Sequence, residues 1–175
     1  MPDWCENKLI LSGSEAQINS LYKKIKEDGL LQTLRPMPDA ETLKKWDEER
    51  KGEKWYPWGV ENWGTKWEED ELNLELVDGT LEAYFNTAYS PPIAAYQHFF
   101  EQNQGIKIEA YYLAICDMFA GAWVDGRDDF ICEEEIDVPP DKRCDLWNLI
   151  DEHLDLSNEY EALHENDEDD EEDEE

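Results

Sequence analysis

Three histidines and four cysteines are the residues of this sequence best suited to nucleophilic or metal-assisted chemistry. Nucleophilic catalysis needs a cysteine or serine beside a base, and a metal site needs several ligands at fixed spacing. The cysteines contain no CxxC pair, and the histidines lie far apart in the chain. These residues are Cys5, Cys116, Cys132, Cys144, His98, His153 and His164. We therefore expect no catalytic, cofactor-binding or metal-binding residues, and we interpret the cysteines as reduced thiols.

Sites for phosphate, calcium or sugar have other characteristic sequence patterns, and no such pattern identifies binding residues in this sequence. The sequence contains neither GxGxxG nor GxxxxGK, the glycine-rich loops that hold phosphate at the start of a helix. Its acidic clusters lack the glycine and the ligand spacing of an EF-hand. A glycosidase needs two carboxylates across a cleft, and no spacing among the many acids singles out such a pair.

A tryptophan-rich stretch, WGVENWGTKWEED at residues 58–70, allows two interpretations. In the first, its rings anchor a long connection against the sheet, because each buried ring removes about 150 to 250 Å² of surface from water. In the second, Trp58 and Trp63 are exposed and act as hot spots for a protein partner. The sequence leaves both interpretations open.

Acidic residues dominate the charge of the chain, with 46 Asp and Glu against 15 Lys and Arg and a formal net charge of −31. Residues 128–156 contain eleven acids and two bases, and residues 157–175 contain twelve acids and no Lys or Arg. Such a field repels nucleic acids and anionic membranes and attracts basic surfaces. We expect a partner-binding row of carboxylates formed by Glu133, Glu134, Glu135, Asp137, Asp145, Asp151, Glu152 and Asp155.

Hydrophobic periodicity predicts the elements that position these residues. Alternation of apolar residues predicts strands over 4–13, 72–76, 81–85 and 106–116, followed by a further antiparallel pair within 118–138. Apolar stripes at helical spacing predict helices over 14–29, 90–105 and 139–156. A capping box of Ser14 and Gln17 opens the first helix. The residues expected to share one face of the last helix are Leu146, Leu149, Ile150 and His153.

The order strand, helix, strand, strand, helix, strand is that of the split βαβ or ferredoxin-like fold. The sequence therefore predicts an α+β protein with two helices on one face of an antiparallel sheet and a C-terminal β-hairpin and helix. The predicted divisions are a ferredoxin-like domain at 1–127 with an irregular tryptophan-rich insertion at 30–71, an acidic hairpin strand and helix at 128–156, and a disordered acidic tail at 157–175.

Four segments, MPDWCENKLILSG, ENWGTKW, FNTAYSPP and FAGAWVDG, resemble in the same order the YubB ferredoxin-like family of plasmid and phage proteins. The similarity covers residues 1–125. It implies a ferredoxin-like fold and no particular activity, since the family has no established biochemistry. The sequence departs from the family pattern at Tyr89, where the resemblance leads us to expect tryptophan.

Charge and resemblance together lead us to expect a non-enzymatic binding protein that engages a basic surface of a protein partner. One form of this hypothesis is that the carboxylates mimic nucleic acid and occupy the groove of a host nuclease or defence protein. With neither a secretory signal nor a bilayer-spanning apolar run in view, we expect a cytoplasmic protein.

Two other interpretations compete with this one. The first is a small-molecule or nucleotide-processing enzyme with a site under the tryptophan-rich loop, formed by Glu61, Asn62, Lys66 and Asn86. The second is a domain with no activity of its own.

Overall fold

Strands and helices alternate along the chain in a computed structural model of the protein. The structure describes residues 3–49 and 57–162, except for the side chains of residues 46, 47, 49 and 57. The strands are β1 (Trp4–Ser12), β2 (Asp70–Val77), β3 (Thr80–Ala88), β4 (Lys107–Ala114), β5 (Phe119–Val124) and β6 (Arg127–Cys132). The helices are α1 (Glu15–Asp28), α2 (Leu30–Leu34), α3 (Ala40–Glu49), α4 (Pro57–Asn62), α5 (Ile93–Gln102), α6 (Glu133–Ile136) and α7 (Asp145–Leu154), and residues 156–162 are also helical.

The six strands form one antiparallel sheet in the order β2-β3-β1-β4-β5-β6. Strand β1 lies between β3 and β4, so the connections from β1 to β2 and from β3 to β4 each pass over a neighbouring strand. This is the ferredoxin-like order, and it confirms the predicted α+β fold. The β5–β6 hairpin extends the sheet beyond β4, as the sequence also predicted. The second strand was predicted to continue to residue 138, but it ends at Cys132 and is followed by helix α6.

Helix α1 begins as its sequence predicts. The Ser14 hydroxyl accepts a hydrogen bond from the Gln17 backbone N–H at 3.4 Å, and the Ser14 N–H donates to the Gln17 side-chain oxygen at 3.0 Å. This capping box satisfies backbone N–H groups that the helix itself leaves without partners. Ile18 and Ile25 of the helix are buried, so the capped end fixes the face that α1 presents to the sheet.

Alternation along β4 divides the apolar residues between two cores on opposite faces of the sheet. Ile108 and Ala110 belong to the larger core, which also contains buried residues of α1 and α5. Leu113 belongs to the smaller core, together with Trp147 and Ile150 of α7. Because successive side chains of a strand point to opposite faces, α7 covers the face that α1 and α5 leave open.

The buried face of α7 agrees with the predicted one at Ile150, Leu146 and His153, and it differs at Leu149 and Trp147. Trp147 and Ile150 are buried, whereas Leu149 is 37% exposed. The Trp147 indole N–H donates to the Ile136 carbonyl at 3.2 Å, so this large ring is buried with its one polar atom satisfied. The indole takes the centre of the contact with the sheet, and this rotates Leu149 towards solvent.

The segment predicted to be an irregular insertion at 30–71, with one short charged helix within 35–54, contains three helices, α2, α3 and α4. Helix α3 corresponds to the predicted charged helix. The backbone N–H groups of Leu30 and Leu31, which open α2, donate to the carboxylate of Glu69. A helix of five residues cannot satisfy its own ends. Its cap comes from a residue almost forty positions further on, where a local sequence pattern does not show it.

Residues 157–162, predicted to belong to a disordered tail, are helical. Leu156 is fully buried, and the Asp151 carboxylate accepts hydrogen bonds from the Ser157 backbone N–H and hydroxyl at 2.6 and 2.9 Å. The start of the acidic tail is therefore docked on α7. The rest of the predicted tail, 163–175, lies outside the described residues.

Gly121 of the FAGAWVDG segment allows close contact between β4 and β5. A Cβ at this position would lie 2.2 Å from the Tyr112 hydroxyl, so only glycine leaves room for the tyrosine ring. The Tyr112 hydroxyl then donates to the Asp128 carboxylate at 2.8 Å. This bond ties β4 to β6 across β5 and fixes the outer part of the sheet.

Candidate functional site

The predicted carboxylates lie along α6 and α7, on the C-terminal side of β6. Glu133, Glu134 and Glu135 form the first turn of α6, and Asp145 opens α7. Asp137, Glu152 and Asp155 are also exposed, while Asp151 is half-buried. The fold therefore places the predicted residues on or directly after the two helices that follow β6, with α6 against β5 and β6 and α7 packed across β6, β5, β4 and β1.

Three of the eight carboxylates bind the chain itself. Asp151 holds the 156–162 segment, as described above. Glu135 accepts a hydrogen bond from the Cys132 backbone N–H at 3.3 Å and so caps α6. Asp155 accepts one from the Asn158 side chain at 2.5 Å. These residues were predicted to contact a partner. In the structure each also accepts a hydrogen bond from the chain itself, Glu135 at the start of α6 and Asp151 and Asp155 from residues that follow α7.

Four other carboxylates, those of Glu133, Glu134, Asp145 and Glu152, are exposed, and we call these four residues the acidic surface. In the part of the chain that the structure describes, no lysine or arginine nitrogen lies within 4.0 Å of them. Their charge is therefore not neutralised locally and acts on whatever approaches this surface.

The acidic surface is interrupted along α7 by uncharged side chains. The exposed positions of α7 are Asp145, Asn148, Leu149 and Glu152, which follow one another at helical spacing. The two carboxylates are seven residues apart, or about 10 Å along the helix axis. An amide and an apolar side chain lie between them, so the spacing differs from the closely repeated charges of duplex DNA.

A groove of about 450 Å³ runs between β6 and α7 beside the acidic surface. Its apolar lining comes from Phe130 and Ile131 of β6 and from Leu146 and Leu149 of α7. Carboxylates of Asp129, Glu135 and Asp145 also line it, together with Arg127 and Cys144. An apolar floor with a charged rim is the usual anatomy of a protein-binding surface. We call it the β6–α7 groove.

The two tryptophans predicted as exposed hot spots are buried, Trp58 with 6% and Trp63 with 1% of its surface exposed. Their rings meet edge to face with centroids 5.2 Å apart. The Trp63 indole N–H donates to the Arg35 carbonyl at 2.8 Å, and the Ala95 N–H donates to the Trp63 carbonyl at 3.1 Å. These rings join the insertion to α5, which agrees with the first interpretation and excludes the second.

A separate cleft of about 520 Å³ lies beside the tryptophan-rich stretch. Trp4, Trp63 and Trp67 line it together with Met37, Gly59, Lys66, Glu68, Glu69 and Asp70. The Lys66 ammonium lies 5.1 Å from the centre of the Trp67 ring and 5.3 Å from that of Tyr89. Aromatic surface and charged side chains thus line a cleft of the size that a small ligand occupies.

The four residues assigned to an enzyme site under this loop are not brought together. Lys66 alone of the four lines the cleft. The Asn62 side chain accepts a hydrogen bond from Arg35 and donates to the Trp58 carbonyl at 3.0 Å. Asn86 donates to the Glu71 carboxylate at 3.0 Å, and Glu61 is exposed. The two asparagines therefore stabilise the loop and the β2–β3 pair.

A cluster of titratable groups that the sequence analysis missed lies on the α7 side of the sheet. The Lys8 ammonium is 3.3 Å from the Glu82 carboxylate and 4.9 Å from the centre of the Tyr84 ring. Burial alone would lower the pKa of Lys8, but the Tyr84 hydroxyl and the Glu82 carboxylate raise it overall. Alternation along β1 and β3 already places these residues on one face, and this signal could have revealed the cluster.

Helix α7 contributes His153 to the same cluster. Its imidazole stacks on the Tyr111 ring at 3.7 Å between centroids. Burial, and then the Lys8 ammonium, lower the pKa of His153 below its ordinary 6.5, although Glu152, Glu109 and Glu82 oppose this. Burial also raises the pKa of Tyr111 to about 12. These groups form a packed layer in which Lys8 is neutralised by Glu82.

The remaining reactive side chains are separated from one another. Cys5 is buried, and burial raises the pKa of its thiol to about 12, whereas Cys116, Cys132 and Cys144 are exposed. Among the described residues, no hydrogen bond joins a cysteine to a histidine, and no three His, Cys, Asp or Glu side chains are arranged to hold a metal ion. His164 lies outside the described residues.

Comparison of the chain with family models, with curated proteins and with solved structures finds no match. Within the described ranges, none of the helices has the length and apolar character needed to cross a bilayer. Fold and surface together define an α+β protein with a ferredoxin-like sheet and an added C-terminal layer that carries exposed, locally unpaired carboxylates.

Proposed function

We propose that this protein is a non-enzymatic binding protein whose acidic surface and β6–α7 groove engage a basic surface of a protein partner. The observation that carries the proposal is an apolar groove lined by the unpaired carboxylate of Asp145. The unpaired carboxylates of Glu133 and Glu134 lie on α6, the helix that lines the groove with Glu135. An interface of this kind gains affinity from the apolar floor, while the charges attract and orient the partner. The net charge of −31 selects a basic partner over an acidic one.

Mimicry of duplex nucleic acid is not part of this proposal, because Asn148 and Leu149 separate the carboxylates of α7. A partner that normally binds nucleic acid remains compatible with it, since such a protein presents lysine and arginine in the required density. What the proposal requires is charge complementarity around an apolar contact.

Affinity capture at graded ionic strength tests the proposal. The immobilised protein is exposed to a bacterial lysate, the setting that the YubB-like segments indicate, between about 50 mM and about 500 mM NaCl. We expect a basic protein to be captured at low salt and released as salt increases. The variant with Glu133→Gln, Glu134→Gln, Asp145→Asn and Glu152→Gln is expected to capture at least about tenfold less of it.

A second variant controls for net charge. It carries Glu27→Gln, Asp28→Asn, Glu75→Gln and Asp78→Asn, four exposed acids near the end of α1 and the β2–β3 turn, away from the acidic surface. We expect it to capture as much partner as the unchanged protein. Capture that ignores salt, or an equal loss in both variants, would contradict the proposal.

The tryptophan-lined cleft favours a second candidate function, the binding of a small aromatic or apolar molecule. Trp67 lines the cleft and is partly exposed, so a bound ligand would change its fluorescence. In a screen of small molecules we expect a fluorescence change that Trp67→Phe removes and that the variant of the acidic surface retains. A screen without such a ligand would leave the cleft as a consequence of loop packing.

A further inference from the structure

We propose that the partner is bound by strand addition: an extended basic segment pairs with β6 as a seventh strand and lies in the β6–α7 groove. This inference rests on the proposed function and specifies how the partner is held. Strand addition uses the backbone of an edge strand for affinity and the alternating side chains of the new strand for selectivity.

The two edges of the sheet differ in regularity. Strand β2 has a shift in register between Asp70 and Asn73, and Glu71 there has a positive φ of 52°. Strand β6 pairs with β5 without interruption, from Val124 opposite Arg127 to Phe119 opposite Cys132. Bulges protect an edge from further pairing, and a regular edge presents its N–H and C=O groups at the spacing of a new strand. A further strand can therefore add to the sheet at β6.

Apolar groups are available on both faces of a strand added to β6. On the α7 side the groove is lined by Ile131, Leu146 and Leu149. Phe130 is opposite Gly121, on the other face from Ile131, and 65% of its surface is exposed. Successive side chains of a strand point to opposite faces, so a strand that alternates apolar and basic residues places its apolar side chains against one of these contacts and its basic side chains on the other face. Phe130 is the most exposed large apolar side chain of the described residues.

The charge around the β6–α7 groove indicates which kind of segment binds in it. Glu135 and Asp145 line the groove, and the acidic surface continues from it. The only base lining the groove is Arg127, whose guanidinium is 2.7 Å from the Asp129 carboxylate. A second copy of this chain would bring a further charge of −31, so self-pairing is opposed. The complementary segment carries lysine or arginine among its apolar residues.

Four blocked peptides of about seven residues, the length of a typical strand, test the inference with the full-length protein. The first alternates lysine and valine, and the second replaces lysine with glutamate. The third and fourth are versions of the lysine peptide, each methylated at a different alternate set of backbone nitrogens. Affinity is measured by calorimetry at low salt, and amide hydrogen exchange of residues 127–132 is followed in parallel.

We expect the lysine peptide to bind and the glutamate peptide not to bind. Alternate residues of a strand direct their N–H groups to the same neighbour, so one methylated version should bind at least about tenfold more weakly and the other almost unchanged. Exchange of the β6 amides should slow at least about threefold on binding.

Matched leucine substitutions at the two edges locate the contact. Leu149→Ser, on α7 beside β6, should weaken binding of the lysine peptide about fivefold. Leu76→Ser, on β2 at the other edge and 45% exposed, should leave it unchanged. Both leucines are exposed, so neither change is expected to unfold the protein.

The outcomes separate this inference from the proposed function. If the lysine peptide binds but both methylated versions bind equally well and β6 exchange does not change, strand addition is wrong and the acidic surface remains a binding site. If no lysine peptide binds, or the glutamate peptide binds as well, both proposals fail.

Discussion

The imidazole of His153, on α7, stacks on the ring of Tyr111, on β4. The ring planes are 16° apart, and the imidazole Nδ1 is buried without a hydrogen-bond partner. A protonated imidazole at this position would carry a buried charge near the Lys8 ammonium. The fold therefore favours the neutral ring.

The direction of this pKa shift predicts how stability depends on pH. Because the pKa of His153 is lower in the folded chain than its ordinary 6.5, the unfolded chain takes up the proton first as pH falls. The stabilisation is complete above about pH 6.5 and decreases as pH falls below it. We expect the free energy of unfolding to decrease between about pH 7.5 and about pH 5.5, as measured by urea titration.

The variant His153→Phe retains an aromatic ring over Tyr111 and cannot be protonated. Its free energy of unfolding should depend less on pH than that of the unchanged protein over the same range. His98→Gln, a change on α5, serves as the control for removing a histidine and should keep the original pH dependence. A His153→Phe variant with an unchanged slope would show that the stacked ring is not protonated in this range.

Asp151 joins helix α7 to the 156–162 segment, so that the two form one structural unit. Its carboxylate accepts two hydrogen bonds from Ser157, and the buried Leu156 lies between the two helices. Asp151→Ala removes both acceptors and should reduce the free energy of unfolding by about 1 to 2 kcal/mol. Hydrogen exchange of residues 156–162 should become faster as this segment separates from α7.

Glu152→Ala is the matched control for this prediction. Glu152 is the next residue of the same helix, is exposed and has no ion pair with a described lysine or arginine. Its removal should change the free energy of unfolding by less than about 0.5 kcal/mol. Equal effects of the two substitutions would contradict a specific role for Asp151.

Local patterns in the sequence were sufficient for the elements that stabilise their own ends. The Ser14–Gln17 box predicted the start of α1, and the alternation of β1, β3 and β4 predicted the sheet. Helix α2 was not predicted, because its cap is the distant Glu69. The predicted face of α7 was wrong only at Leu149, because the periodicity of leucines did not include Trp147, whose size decides which side is buried.

The candidate site could be predicted only in part for a similar reason. Composition was enough to select the acids of α6 and α7, but their separation into local caps and free carboxylates depends on three-dimensional neighbours such as Ser157. The β6–α7 groove depends on the position of an edge strand next to a helix from the following segment. No spacing within either segment encodes that contact.

On the scale of the whole molecule, repulsion among 46 acidic residues opposes the folded state. Added salt screens this repulsion, so we expect the melting temperature to rise by about 2 to 5 °C between about 20 mM and about 300 mM NaCl. Thermal unfolding followed by circular dichroism measures this. The variant with four neutral residues on the acidic surface should show a smaller rise, and a melting temperature that falls with salt would contradict the prediction.

Strand β4 contributes residues to both cores, and this affects the order in which the parts of the molecule unfold. Separation of α7 would expose Leu113, Ala120 and Ile131, while the larger core between the sheet and helices α1 and α5 would keep its contacts. We therefore expect the C-terminal layer to open at a lower free energy than the larger core of the described residues, which would make this layer accessible to proteases. A partner strand on β6 would stabilise the C-terminal layer, so binding in the β6–α7 groove would increase resistance to proteolysis near the C-terminus.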